Sequence, residues 1–228
     1  MEINSFLSAL DQRIARYDLL RHPFYQAWSA GKLTPEDLRD YAEAYYPHVE
    51  AFPSYLAELG IRLEEGELRR GVLANMMDEK GGVAEPAHAD LWLDFVEGMG
   101  GRRARAGHSV PEVSSLISWF HNIASKGTLE EALAAFYAYE SQVPHLAREK
   151  DRGLRELYGA GEKTRAYFTL HTTADVYHSQ VWRKLLEQQI AAHPETAEKA
   201  LAAAEVAARK LWEALDGIEA RRMAGAPA

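Results

Sequence analysis

The chain has 228 residues, 47% hydrophobic and 26% charged, with 34 acidic side chains against 26 basic ones and a formal net charge of −8. That balance argues against nucleic acid or an anionic membrane surface, which would call for clustered Lys and Arg. The absence of cysteine excludes disulfides, thiolate metal sites and a cysteine nucleophile.

The opening stretch MEINSFLSALDQRIARYDLL mixes acids and bases into its apolar positions, so it reads as a helix near 4–18 and not as a signal peptide or a span. No later run approaches the roughly 18 apolar residues of a spanning helix, and a cytoplasmic protein without a membrane partner is expected. A short helix near 21–29 carries HPFYQAW. TPEDLRDYAEAYY then starts a long helix near 35–62, with Thr34 as N-cap and Pro35 at the first helical position. Its Tyr45, Tyr46, Phe52 and Tyr55 read as core packing. A helix near 66–79 stops at the glycines of KGG, and the next, near 86–98, takes Pro86 as its first residue.

GRRARAG, within 98–112, reads as a solvated loop before a helix near 111–125. Thr128 and Glu131 form a capping box for one long helix near 129–157, and YGAG separates this from a second long helix near 162–192. The Ala-rich segment near 195–221 reads as a cover helix, loosely held together with the terminal MAGAPA. No segment alternates β-branched residues between turn signals. The fold class is therefore all-α, a bundle of about seven to nine helices, with a single domain over 1–222 and a flexible tail over 223–228.

LHTTADVYHSQVW, residues 170–182, places His171, Asp175 and His178 at i, i+4 and i+7, within about 60° of one another on a continuous helix. Two imidazoles and a carboxylate on one stripe complete a mononuclear 2-His-1-carboxylate set; two metals need further carboxylates from facing helices. Glu140 in FYAYESQVPH lies on a face that looks buried, where an unpaired carboxylate is costly. Glu79 in NMMDEKGG precedes His88 in AEPAHADLW. Glu85 competes with Glu79, since Glu85 and His88 have the Glu-x-x-His spacing of di-iron bundles; Pro86 as the first helical residue leaves Glu85 outside the helix and favours Glu79.

HPFYQAW, YYPHVEAFPSYL, NMMDEKGG with HADLW, YAYESQVPHLAREKDRGL and HTTADVYH together resemble the family of the chlamydial protein associating with death domains, among the haem-oxygenase-like dimetal oxidases of the TenA- and PqqC-like superfamily. The resemblance runs from about residue 5 to about residue 190. It implies a haem-oxygenase-like bundle with two metal ions, iron and/or manganese, held by Glu79, His88, Glu140, His171, Asp175 and His178. The segment between Glu79 and His88 is about two residues longer than the family pattern, which keeps Glu85 open.

The resemblance further implies a self-sacrificing oxygenase that forms para-aminobenzoate for folate synthesis. Tyr25 of HPFYQAW supplies the ring, Lys150 of AREK supplies the nitrogen, O2 is co-substrate and an external reductant is needed. A dimetal oxidase of the same fold acting on a diffusible small molecule is the alternative. A thiaminase-like hydrolase lacks its cysteine, a haem-degrading enzyme would have only His22 as an early axial ligand, and no motif supports a purely interacting protein. A homodimer is left open.

Overall fold

The computed structural model describes residues 2–82, 85–103, 106 and 110–225. These form eleven α-helices and no strand: α1 Ile3–Ala15, α2 Pro23–Ser29, α3 Pro35–Gly60, α4 Glu67–Lys80, α5 His88–Gly98, α6 Pro111–Lys126, α7 Leu129–Glu140, α8 Val143–Glu156, α9 Glu162–His171, α10 Ala174–Ala192 and α11 Ala197–Gly225. Both N-terminal signals hold, as reciprocal capping boxes: Thr34 with Asp37 on α3, and Thr128 with Glu131 on α7. No helix among the described residues is long and apolar enough to cross a membrane.

Helix α7 is the axis of the bundle. Every residue from 132 to 140 is buried, the all-round burial of a core helix. It packs against α11, and both helices bury small residues, alanines 132, 134, 135 and 138 on one and Ala200, Ala204, Ala207 and Ala208 on the other, which let backbones approach closely. The Ala-rich helix is therefore a core element and not a loosely held cover. It continues through Gly225, past the expected end, and residues 226–228 of the expected tail lie outside the described residues.

Two expected long helices are each broken. The 129–157 segment divides into α7 and α8 because Pro144 has no N–H to give the Glu140 carbonyl and its ring crowds that carbonyl. The 162–192 segment divides at Thr172 and Thr173, whose hydroxyls donate to the Thr169 and Leu170 carbonyls, 2.7 and 3.2 Å, in place of continued helix geometry. Helix α5 begins at His88, two residues later than expected, with Ala87 as N-cap. Part of GRRARAG is tied down, since Arg103 pairs with Asp94 and with Glu97 at 3.1 Å; Ala104, Arg105 and Gly107 lie outside the described residues.

Helix α2 is short, and contacts at both ends hold it. His22 caps it by accepting from the Phe24 N–H at Nδ1, so its Nε2–H donates to Asp216 of α11 at 3.1 Å. Toward α8, a Cβ at Gly153 would stand 2.6 Å from Trp28 Nε1; only glycine lets α2 and α8 meet this closely. Tyr25 on α2 and Lys150 on α8 are thereby brought face to face.

Candidate metal centre

Glu79 follows Asn75 by one turn on the buried face of α4. Gly81 then adopts φ +68°, and a Cβ there would lie 2.5 Å from the Glu85 carbonyl oxygen and 2.6 Å from the Ala87 nitrogen. This turn, closed by the Gly82 N–H donating to the Glu85 carbonyl at 2.9 Å, brings His88 back beside Glu79. Its Nδ1 stands 2.9 Å from Glu79 Oε2 without the alignment of a hydrogen bond.

The six expected ligands are all buried, none more than 6% exposed. Donor atoms of Glu79, His88 and His171 lie within 4.8 Å of one another, and so do those of Glu79, Asp175 and His178. Glu79 belongs to both triads. The break at Thr172 and Thr173 is what separates the partners: His171 ends α9 and joins the first triad, while Asp175 and His178 start α10 and join the second. The expected single helical stripe is replaced by two helix ends converging on Glu79.

Glu140 lies outside both triads but within electrostatic reach of Asp175, His178 and Glu79. Asn75 Nδ2 donates to its Oε1 at 2.9 Å, and the Trp182 indole N–H donates to its Oε2. Glu85, the rival to Glu79, is exposed on the loop before α5. His22 offers no free nitrogen for an axial role, since both engage protein partners.

The donor set fits cations. Burial, then the adjacent Asp175 charge, pushes the Glu140 carboxyl well above the usual range. Burial pulls the His178 imidazole down, but the hydrogen bond to Asp175 and the charges of Glu140 and Asp175 outweigh it and leave His178 at about 9. Three carboxylates and three imidazoles in a space that resists its own negative charge suit iron or manganese, which take oxygen and nitrogen donors. Supporting contacts are in place as well. His171 Nδ1–H donates to the Tyr167 carbonyl at 2.6 Å, leaving Nε2 free to ligate. His178 meets Asp175 at 3.3 Å through Nδ1 and Asp78 at 3.1 Å through Nε2, so metal loading must displace one of these contacts.

An aromatic layer adjoins the centre. The Tyr167 ring stacks on His171 with centroids 4.0 Å apart, Trp92 lies 4.8 Å from Tyr167, and Tyr41 lies 5.8 Å from Trp92. Tyr25 and Tyr41 share a 2.8 Å hydrogen bond, and Lys150 Nζ donates to the Tyr41 oxygen at 2.6 Å. Lys150 Nζ also stands 4.7 Å from the centroid of the Tyr25 ring. Burial drives the Lys150 amine well below its ordinary value, and raises the Tyr25 phenol with further help from Tyr45. On the opposite side, a cavity of 410 Å³ opens toward His88 and His178, with Tyr177 and Leu170 at its mouth.

Sequence reasoning missed Asn75, Asp78, Tyr41, Trp92, Tyr167 and Trp182. Asn75 and Tyr167 each precede an expected ligand by four residues, so helical spacing alone could have flagged them. Trp92 and Trp182 follow His88 and His178 by four and share that signal, whereas Tyr41 had none, because its partners lie on other helices.

The family described as iron-containing redox enzyme matches residues 39–212. A 4-aminobenzoate synthase of Chlamydia trachomatis serovar D is 38% identical over 215 residues, 93% of this chain and 91% of the relative. One of Nitrosomonas europaea is 37% identical over 230 residues, 96% and 92% of the two chains. A crystal structure of a domain with a heme oxygenase-like fold from Shewanella denitrificans superposes with a TM-score of 0.81 at 19% identity, covering 95% of this chain and 93% of that one. At that identity the likeness is one of fold alone.

Proposed function

Because this chain belongs to the iron-containing redox enzymes and shares more than a third of its residues with 4-aminobenzoate synthases, we propose that it forms 4-aminobenzoate from its own Tyr25, with Lys150 supplying the nitrogen. The observation that carries this reading is the buried lysine amine 4.7 Å from the centroid of a buried tyrosine ring, with no carboxylate beside it among the described residues. Burial lowers the Lys150 amine, and the uncharged form this favours is the nucleophilic one.

Glu79, His88, Glu140, His171, Asp175 and His178 would hold two ions, iron and/or manganese, and with O2 as co-substrate and an external reductant this centre supplies the oxidising power. Tyr25 gives up an electron and its phenolic proton. The proton has a partner in the Tyr41 oxygen, 2.8 Å away, and the rings of Tyr41, Trp92 and Tyr167 stand in sequence between Tyr25 and His171. Loss of a second electron and of a Cβ proton makes the ring carbon bearing the oxygen electrophilic. Lys150 Nζ condenses with it and the oxygen leaves as water. A proton passes from Cε to Cβ as the ring regains aromaticity, and water cleaves the resulting Cε=N bond, freeing the ring amine and leaving an aldehyde at Cε. For the ring to leave as 4-aminobenzoate, the Cα–Cβ bond of Tyr25 must also break and Cβ must be oxidised to the carboxylate carbon, with O2 as the oxidant and the oxygen source. The packed aromatic layer excludes water from a ring in its oxidised form.

The 410 Å³ cavity at His88 and His178 favours a second reading, a dimetal oxidase acting on a diffusible small molecule that enters there. Incubating the protein with Fe(II), Mn(II), reductant and O2 separates the two. Ring-labelled tyrosine built into the protein is expected to reappear in 4-aminobenzoate, and Tyr25→Phe is expected to release none while binding metal normally. Product at the wild-type level from Tyr25→Phe would leave the diffusible-substrate oxidase as the better reading.

A further inference from the structure

A second cavity, of 160 Å³, lies beside Tyr41, between α2, α3 and α11. Its inner surface is Phe24, Tyr41, Ala44 and Ile218, all buried, and its rim is charged. Most of the rim charges are already matched. Arg222 forms a two-pronged pair with Glu219 at 2.6 and 2.7 Å and reaches Asp37 at 4.0 Å. Asp37 also accepts from the Thr34 N–H at 2.8 Å, and Asp40 pairs with Arg39 at 2.9 Å. Arg221 alone on this rim has no hydrogen bond or ion pair among the described residues.

A cavity of about 150 Å³ is large enough to hold a benzene ring, and this one has an apolar inner wall beneath a charged rim. An unmatched guanidinium at its mouth selects a carboxylate through a forked, charge-assisted pair. Asp40, exposed at the same rim, can accept from an amine. These features describe one ligand class, an aromatic carboxylate with an amino substituent. Tyr41 is shared between this cavity and the Tyr25 ring, since it lines the cavity while its hydroxyl contacts Tyr25 and Lys150.

We propose that this cavity binds 4-aminobenzoate after its release, the ring against Phe24 and Ile218 and the carboxylate on Arg221. The proposal rests on the self-sacrificing reading for its meaning, because the product then originates at Tyr25, whose hydroxyl meets that of Tyr41. The binding itself needs no turnover and is tested with added ligand.

The test uses metal-loaded protein, 4-aminobenzoate as probe, and 4-azidobenzoate as a photolabel mapped by peptide mass spectrometry. Saturable binding is expected, with label on residues 23–44 or 197–225. Arg221→Gln, at an exposed position that leaves the fold intact, is expected to weaken binding about tenfold, the loss of one charge-assisted pair, and aniline should bind the wild type as poorly as 4-aminobenzoate binds this variant. Label at Leu91, Leu170 or Tyr177 of the metal-side cavity, affinity unchanged in Arg221→Gln, or no saturable binding would each overturn the proposal. If Tyr25→Phe still made product while binding at Arg221 held, the self-sacrificing reading would fall and the site would stand.

Discussion

Lys150 and His48 show what burial does to a single titratable group. Lys150 has no carboxylate to offset its desolvation, so the fold holds an amine that it would be more stable without. Lys150→Met, of similar length, is expected to keep or raise the melting temperature by a few degrees while abolishing 4-aminobenzoate; calorimetry with mass spectrometry of the small-molecule fraction checks both. His48 lies among the rings of Tyr45, Phe52, Tyr55, Phe120 and Tyr139, its Nε2 without a partner, and burial lowers it from 6.5 to about 3. Its folded pKa lies below its unfolded one, so its contribution is complete above pH 6.5 and is lost as pH falls toward 3. Between pH 6.5 and 5 the wild type should lose about 2 kcal/mol more than His48→Phe, read from urea midpoints at each pH.

The candidate ligands cluster at helix ends. Glu79, Glu140 and His171 lie at or near the C-terminal ends of α4, α7 and α9, while His88 and Asp175 lie in the first turns of α5 and α10. The turn at Gly81 is the tightest of these junctions, because an added Cβ would meet backbone and not a flexible side chain. Gly81→Ala is expected to cost about 1–3 kcal/mol of stability and to lower iron affinity by roughly tenfold or more through displacement of His88 from Glu79. A metal titration followed alongside denaturant unfolding would register both effects; unchanged iron affinity would detach the turn from the site.

At the scale of the whole molecule, five helices, α4, α5, α7, α9 and α10, bring charged groups to one buried space. The bundle has an extensive apolar core outside that space, centred on α7 and α11, so the metal-free protein is expected to stay folded. Ions that bind only the folded state stabilise it by about 2.7 kcal/mol at a hundredfold excess over Kd, which for a chain of this size shifts the melting temperature by about 5–10 °C. Chelation should reverse the shift and leave helical circular dichroism unchanged; collapse of that signal would mean that the centre is needed for folding itself.

The features legible from the residues alone are local or repetitive. Helix periodicity, the Thr34 and Thr128 caps and the absence of strand signals were enough for an all-α fold, and motifs such as YESQVP and HTTADVYH were enough for the family, because each is written in neighbouring residues. The breaks at Pro144 and at Thr172 with Thr173 were harder to read, since a periodic apolar pattern runs straight through them. Only the tertiary structure decided that Glu79 joins two triads, that Trp182 and Asn75 hold Glu140, and that Tyr41 links Tyr25 to Lys150. Those contacts join residues far apart in the chain, and their geometry depends on how closely α2 approaches α8 and α7 approaches α11. That closeness is set by what small residues such as Gly153 and the alanines of α7 and α11 leave out, and the absence of a side chain becomes legible only when the surface opposite is known.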